Sequence, residues 1–187
     1  MNAVLFRDLL MNMLLGLTAL TVIMLASLNP PQKDEDASTP PGNLAITACW
    51  PEGSIDVDLW VKAPGDPKPV GYSNRGSKTL NLLRDDLGTA NDSMPMNCEN
   101  VYSRGLPDGE YVINLHAYKT KVLPVEVRVE ILVNTGGASS QSLGAKVVLV
   151  REGQELTAAR FRMRDGKIDM SSVNRVFEPL RSAKKPN

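Results

Sequence analysis

An apolar run near the start of the chain constrains the fold more than any other feature. Leu9–Leu28 is apolar except for four polar side chains, Asn12, Thr18, Thr21 and Ser27. At about 1.5 Å per residue, a helix of this length spans the roughly 30 Å of a bilayer core. Pro30 and Pro31 would end that helix. The sequence therefore predicts a short cytoplasmic end, 1–8, followed by a transmembrane anchor, 9–28.

A cleaved signal peptide is the alternative interpretation of this run. The apolar core of a signal peptide has only about 7–15 residues. The sequence LASLNPP also lacks a small-x-small cleavage site, because Leu28 occupies the third position. We therefore expect an uncleaved anchor. Arg7 and the amino terminus favour a cytoplasmic N terminus by the positive-inside rule.

The composition changes twice after the anchor. Residues 29–42, NPPQKDEDASTPPG, are rich in proline and acidic residues, which predicts a semi-rigid linker. From Asn43 onward, short segments alternate apolar and polar residues, most clearly in SIDVDLWV. Tight-turn sequences such as LPDGE and RDGK separate about eight such segments. We expect an antiparallel β-sandwich over 43–170 and a tail, 171–187, with a short helix.

Charge and residue counts narrow the functional classes. Lys+Arg and Asp+Glu both number 21, and a net charge of zero gives no reason to expect a nucleic-acid partner. One histidine, His116, and two cysteines do not supply a zinc site. Cys49 and Cys98 would form one disulfide if the domain lies outside the cytoplasm. No arrangement of nucleophile and base stands out, and we do not expect an enzyme.

Acidic residues form the most interesting chemical set in the domain. The candidate ligands are Asp56, Asp58, Asp85, Asp86, Asp92 and Glu99. Such oxygens suit Ca²⁺ as a stabilising cofactor, while the alternative is that they accept hydrogen bonds from backbone amides at turns. Trp60 would form a recognition surface beside two of them, or else pack against a neighbouring strand or loop. Paired carboxylates also serve glycosidases, but two tryptophans offer a poor substrate platform, so a hydrolase is disfavoured.

Part of the domain carries a resemblance to other proteins. The segments DVDLWVKAP, GYSNRGSKTLNLLRDDLGTAN and CENVYSRGLPDGEYVINLHAY follow the patterns D-x-D-L-x-V, Y-x-N-x-x-S, L-x-x-D and P-x-G-x-Y. In this respect Ile55–Tyr118 resembles an uncharacterised bacterial β-sandwich family, although Cys98 stands where that family has proline. The resemblance implies a sandwich fold and an extracytoplasmic setting, and it implies no reaction.

The N-terminal segment carries a second resemblance. In LFRDLLMNMLLGL, an aromatic residue, Phe6, lies two positions before Asp8, and Leu/Met-rich sequence follows. Here the chain is similar to the single transmembrane segment of the MotB, TolR and ExbD families. The resemblance implies that Asp8 carries an ion, with Asn12 on the same helix face. Arg7 directly before Asp8 and the short N-terminal tail depart from those families. A boundary charge at headgroup level is the alternative.

Together these features predict a bacterial inner-membrane protein with one span and a periplasmic C-terminal domain. We expect it to act by binding, as a stator-like or accessory subunit of an ion-driven membrane complex. Its expected partner is a polytopic membrane protein or an envelope protein, and it is expected to be oligomeric through the anchor. The alternative function is a calcium-stabilised module that recognises envelope protein or glycan.

Overall fold

The computed structural model describes residues 3–28, 42–88, 96–134 and 140–181. The chain divides into two compact units, Met1–Ser38 and Thr39–Asn187. Within the described residues, the first unit contains one helix and the second contains the strands. Of the predicted linker, 29–42, only Gly42 lies within the described residues.

The N-terminal helix, α1, spans Ala3–Leu28. It ends where the sequence predicts but begins before Leu9, because the first residues of the chain are also apolar. Its stretch Ala3–Leu25 is long and apolar enough to cross a membrane, and none of its most apolar window is buried against protein. The hydroxyls of Thr18 and Thr21 each donate to a carbonyl about one turn earlier, at 2.8 Å. These side chains are therefore satisfied within the helix, as a lipid environment requires.

The strands form two antiparallel sheets. Their bounds are β1 Leu44–Pro51, β2 Ile55–Lys62, β3 Leu80–Arg84, β4 Met96–Ser103, β5 Gly109–Thr120, β6 Val125–Asn134, β7 Ser140–Leu149, β8 Glu155–Arg164 and β9 Lys167–Asn174. The first sheet has the order β3-β4-β1-β6-β7, and the second has the order β2-β5-β8-β9. The predicted fold class, mainly β with antiparallel sheets after one apolar helix, is confirmed.

One apolar core lies between the two sheets. Alternate residues along each strand point inward, because side chains on a strand alternate between faces. Ile46 and Ile131 of the first sheet and Val57, Leu59 and Leu115 of the second are completely buried in this core. The core residues all come from the second unit, so the sandwich has its own source of stability.

Three segments differ from what the sequence pattern indicates. The alternation also predicts a strand at Val70–Ser73, which contributes only isolated bridges. The sequence further predicts a long loop over Asp85–Glu99, but Met96–Ser103 is a strand that pairs with both β1 and β3. Ser171–Asn174 complete β9, and residues 175–181 contain no helix, so the predicted short helix is wrong within the described part of the tail. Pairing of β9 with β8 extends the sandwich beyond residue 170.

Candidate functional site

Cys49 and Cys98 form a disulfide, as the sequence suggested. The two residues lie directly opposite each other in the register of β1 and β4. The bond therefore joins two neighbouring strands near the centre of the first sheet. Such bonds persist in oxidising compartments outside the cytoplasm.

The outer face of the second sheet carries a strip of polar side chains that is buried. Asp58 on β2 lies opposite His116 on β5, and Asn114 on β5 lies opposite Thr157 on β8. All four are less than a tenth exposed. Residues 175–181, which we call the C-terminal strap, bond to this face. This face of β2 is therefore covered by the strap.

His116 lies between the carboxylate of Asp58 and the guanidinium of Arg181. Its Nδ1 is 2.8 Å from Oδ2 of Asp58, and its Nε2 contacts Nη1 of Arg181. Because an arginine side chain has only donors, Nε2 must accept that hydrogen bond. The imidazole is therefore neutral, with its proton on Nδ1 donated to Asp58. Both ring nitrogens are engaged, and the side chain is only 1% exposed.

Glu155 holds the end of the strap through one carboxylate oxygen. Its Oε1 accepts hydrogen bonds from the backbone N–H groups of Leu180, at 2.9 Å, and Arg181, at 3.2 Å. The same oxygen accepts from Nδ2 of Asn114 at 2.6 Å. The last two described residues are thereby tied to β8.

Glu178 holds the middle of the strap. Its carboxylate pairs with Lys62 at 3.1 Å and with Arg160 at 3.2 Å. Its backbone N–H donates to Oγ1 of Thr157 at 3.2 Å, and its carbonyl accepts from Nδ2 of Asn114 at 2.7 Å. Polar contacts thus fix the strap to β2, β5 and β8.

Trp60 is packed beneath the strap and a loop between β2 and β3. It is 5% exposed and forms a small apolar cluster with Val112 and Leu180. Its ring meets Tyr72 edge to face, with the centroids 5.4 Å apart. A Cβ added at Gly71 would lie 2.6 Å from the indole, so the loop passes very close. Trp60 therefore takes the packing role that was the alternative to a recognition surface.

Glu99 reaches from β4 to the free edge of β2. Its Oε2 accepts the backbone N–H of Leu59 at 2.7 Å, while its buried Oε1 has no donor facing it. Burial, together with the neighbouring carboxylates of Asp58 and Asp85, raises the pKa of Glu99 to about 9. The side chain is therefore a neutral carboxylic acid at pH 7.

Asp56 lies at the edge of the same group of carboxyls. Burial is the main cause that raises its pKa to about 6, and the nearby carboxylates of Asp58 and Asp85 act in the same direction. The ammonium group of Lys119 opposes the shift. Asp56 therefore changes its charge in mild acid.

The predicted calcium ligands are not gathered into one ligand set in the described part of the chain. Asp85 pairs with Arg75 at 2.5 Å, and Asp86 pairs with Arg84 at 2.8 Å. Asp86 also accepts from the backbone N–H groups of Gly88 and Cys98, both at 3.1 Å, which is the amide-binding role named as the alternative.

Among the described residues, no three histidine, cysteine, aspartate or glutamate side chains are placed to hold a metal ion. Asp56, Asp58 and Glu99 instead belong to the buried network that also contains His116. Asp92 lies outside the described residues.

Asp8 lies in the second turn of α1, inside the apolar stretch rather than before it. Val4, Leu5 and Phe6 precede it within the same stretch. Asn12 follows one turn later, so the two polar side chains share a helix face, as expected from their spacing. The structure thus brings the two candidate ion-carrying residues together on one surface of the helix.

Several residues of the buried network could not be identified from sequence. Asn114, Glu155, Glu178 and Arg181 carry no motif, and their positions on alternating strands or in the tail are typical of solvent-exposed polar residues. The one available signal was the placement of Asn114 and His116 two residues apart on β5, which put them on the same face. That signal does not show what covers the face.

No protein-family model, curated protein or solved structure matches this chain. The fold and the site define a disulfide-linked antiparallel β-sandwich preceded by one apolar helix. The two resemblances drawn from sequence remain predictions.

Proposed function

We propose that the protein is a single-pass inner-membrane protein that acts by binding, as an accessory or stator-like subunit of a larger membrane complex. The sandwich is its periplasmic part. The observation that carries the proposal is Asp8, a carboxyl group within the apolar stretch Ala3–Leu25, with Asn12 one turn deeper.

A carboxyl group in this position is costly unless it has a partner. Asp8 lies five residues into α1, which is about 7–8 Å along the helix axis at 1.5 Å per residue. A charged residue at the centre of a span costs about 2.5–3.5 kcal/mol on insertion scales, and such residues usually face another protein. A second membrane helix that accepts or donates a hydrogen bond would offset that cost.

Small residues continue the face that Asp8 and Asn12 begin. With about 100° between successive residues, Asn12, Gly16 and Ala19 all lie within roughly 80° of Asp8 around the helix. Space over the Cα of Gly16 is open. Small residues allow two membrane helices to approach closely, and polar residues add hydrogen bonds between them. We therefore propose that this face contacts a helix of a polytopic partner.

Two features support a periplasmic position for the sandwich. The Cys49–Cys98 disulfide is typical of an oxidising compartment. Arg7, near the amino terminus, favours retention of that end in the cytoplasm by the positive-inside rule.

Ion transfer is the sharper form of the proposal. By the resemblance to the MotB, TolR and ExbD families, Asp8 would gain and lose an ion as it meets the partner. Asn12 is then its hydrogen-bonding neighbour on the same face. Asp8→Asn should abolish ion-driven activity while the chain still inserts and assembles, and Asp8→Glu should restore part of that activity. Normal activity of Asp8→Asn would make Asp8 a boundary charge only.

Pairing through this face is tested by two matched leucine substitutions in the full-length chain. Gly16→Leu puts a bulky side chain on the proposed face, whereas Thr21→Leu puts the same side chain on the far side of the helix. After purification in mild detergent, Gly16→Leu should lose a polytopic membrane protein that co-purifies with the wild type, and Thr21→Leu should retain it. Equal retention by both variants would contradict pairing through the Asp8 face.

A further inference from the structure

The end of the C-terminal strap is held by a contact that exists in only one protonation state of His116. The guanidinium of Arg181 donates to Nε2, and that nitrogen has a lone pair only while the imidazole is neutral. Protonation would place a hydrogen and a positive charge directly against Arg181. The contact and a charged His116 are therefore mutually exclusive.

Charged and titratable groups approach His116 from every element packed against it. They are Asp56 and Asp58 on β2, Tyr118 and Lys119 on β5, Glu155 on β8, Glu99 on β4, Asp85 after β3 and Arg181 on the strap. Asp58 accepts the Nδ1 proton at 2.8 Å in either charge state of the imidazole. The carboxylates of Asp56 and Asp58 therefore stabilise a charged His116, whereas Lys119 and Arg181 oppose it.

Of the two cations, Arg181 is the one that is free to leave. His116 lies in the middle of β5 and is only 1% exposed, whereas Arg181 is an exposed residue at the last described position. Its remaining attachment is its backbone N–H, which donates to Glu155 at 3.2 Å. Movement of Arg181 therefore requires no rearrangement of the sheets.

Movement of Arg181 away from His116 would also lift Leu180 from the apolar surface below it. Leu180 packs on Trp60 and Val112, and its backbone N–H shares Oε1 of Glu155 with Arg181. Glu178, paired with Lys62 and Arg160, keeps the earlier part of the strap in place. Only the last residues of the strap would swing away, after Pro179.

We propose that the strap end is an acid-released latch, in which neutral His116 holds Arg181 and protonated His116 expels it, uncovering Trp60. The latch is closed while the imidazole is neutral and opens when acid protonates it. Asp56, whose pKa is raised to about 6 by burial, loses its charge in mild acid, which weakens the attraction for protonated His116 without restoring the contact with Arg181.

Tryptophan fluorescence of the full-length chain in detergent measures the opening. The chain has two tryptophans: Trp50, 2% exposed in the core, and Trp60 beneath the strap. Between about pH 7.5 and pH 5, we expect about half of the emission, that of one tryptophan of two, to become accessible to the neutral quencher acrylamide. The change should extend over about two pH units, as for a single titrating group. Unchanged far-UV circular dichroism shows that the sheets remain folded, and Trp60→Phe should abolish the change.

Two variants identify the groups that form the latch. His116→Gln keeps a donor for Asp58 and an acceptor for Arg181 but cannot become charged, so quenching should stay at its neutral-pH value throughout. Arg181→Ala, at the exposed strap end, should make Trp60 accessible at both pH values. An acid-dependent rise in His116→Gln, a flat profile in the wild type, or protection of Trp60 at neutral pH in Arg181→Ala would each overturn the proposal.

Discussion

The buried carboxyl group of Glu99 makes the free energy of unfolding depend on pH, and Glu99→Gln should remove that dependence. Glu99 accepts the N–H of Leu59 through Oε2 and is completely buried. Its pKa is raised to about 9 from the ordinary value of 4.5, mainly by burial. Glutamine has the shape of the protonated acid and, like it, carries no charge, and its Oε1 can accept the N–H of Leu59.

The sign and size of the effect follow from these two pKa values. Below about pH 4.5 the carboxyl is protonated in both the folded and the unfolded chain. Between about 4.5 and 9 only the folded chain keeps the proton, so the free energy of unfolding falls by about 1.4 kcal/mol per pH unit. Glu99→Gln avoids this loss. The free energy of unfolding of Glu99→Gln, relative to that of the wild type, should therefore rise by up to about 4 kcal/mol between pH 5 and pH 8.

Urea unfolding of the sandwich unit, Thr39–Asn187, followed by far-UV circular dichroism at several pH values, measures this difference. Glu130→Gln is the matched control, because Glu130 is exposed on β6 of the same sheet. That variant should follow the wild type at every pH. A Glu99→Gln variant that is less stable than the wild type by the same amount at all pH values would show that Glu99 is ionised in the folded protein.

The disulfide and one glycine give two further predictions for the same unit. Replacing Cys49 and Cys98 by alanine should lower the free energy of unfolding by about 4 kcal/mol, from the loop entropy of a 49-residue separation; an unfolding midpoint unchanged by the double substitution would contradict this. Gly88→Ala should cost more than about 2 kcal/mol, because φ is +61° and the added Cβ would lie 1.7 Å from the carbonyl oxygen of Ile55. Gly105→Ala, with nothing within 4 Å of the added Cβ, is the control and should change the midpoint little.

Alternation of apolar residues predicted the class of fold because each sheet buries one face on a shared core. The same alternation put Asp56, Asp58 and Trp60 on the face of β2 away from the core but did not show whether that face is covered. All three are buried, because a loop and the strap cover the outer side of that strand. Burial by a distant segment depends on tertiary contacts, and a local pattern does not contain them.

Two parts of the site could not be predicted from the sequence, for different reasons. The segment MNCENVYS on β4 is too polar to resemble a central strand, yet it pairs on both sides and places Glu99 beside β2. The tail was expected to contain a helix, but the strap is instead fixed by contacts with β2, β5 and β8. No pattern in the tail sequence predicts those contacts. By contrast, two cysteines allow only one intramolecular pairing, and the register of β1 and β4 places them opposite each other.

The proposed function requires that the sandwich lies outside the cytoplasm, tethered by an uncleaved spanning helix. Protease treatment of spheroplasts that express the full-length chain with a C-terminal epitope tests this directly. We expect the epitope to be lost in spheroplasts but not in intact cells, and the untreated chain to keep its N terminus and stay in the membrane after carbonate extraction. Protection of the epitope in spheroplasts, or release of a shortened soluble chain, would contradict the account.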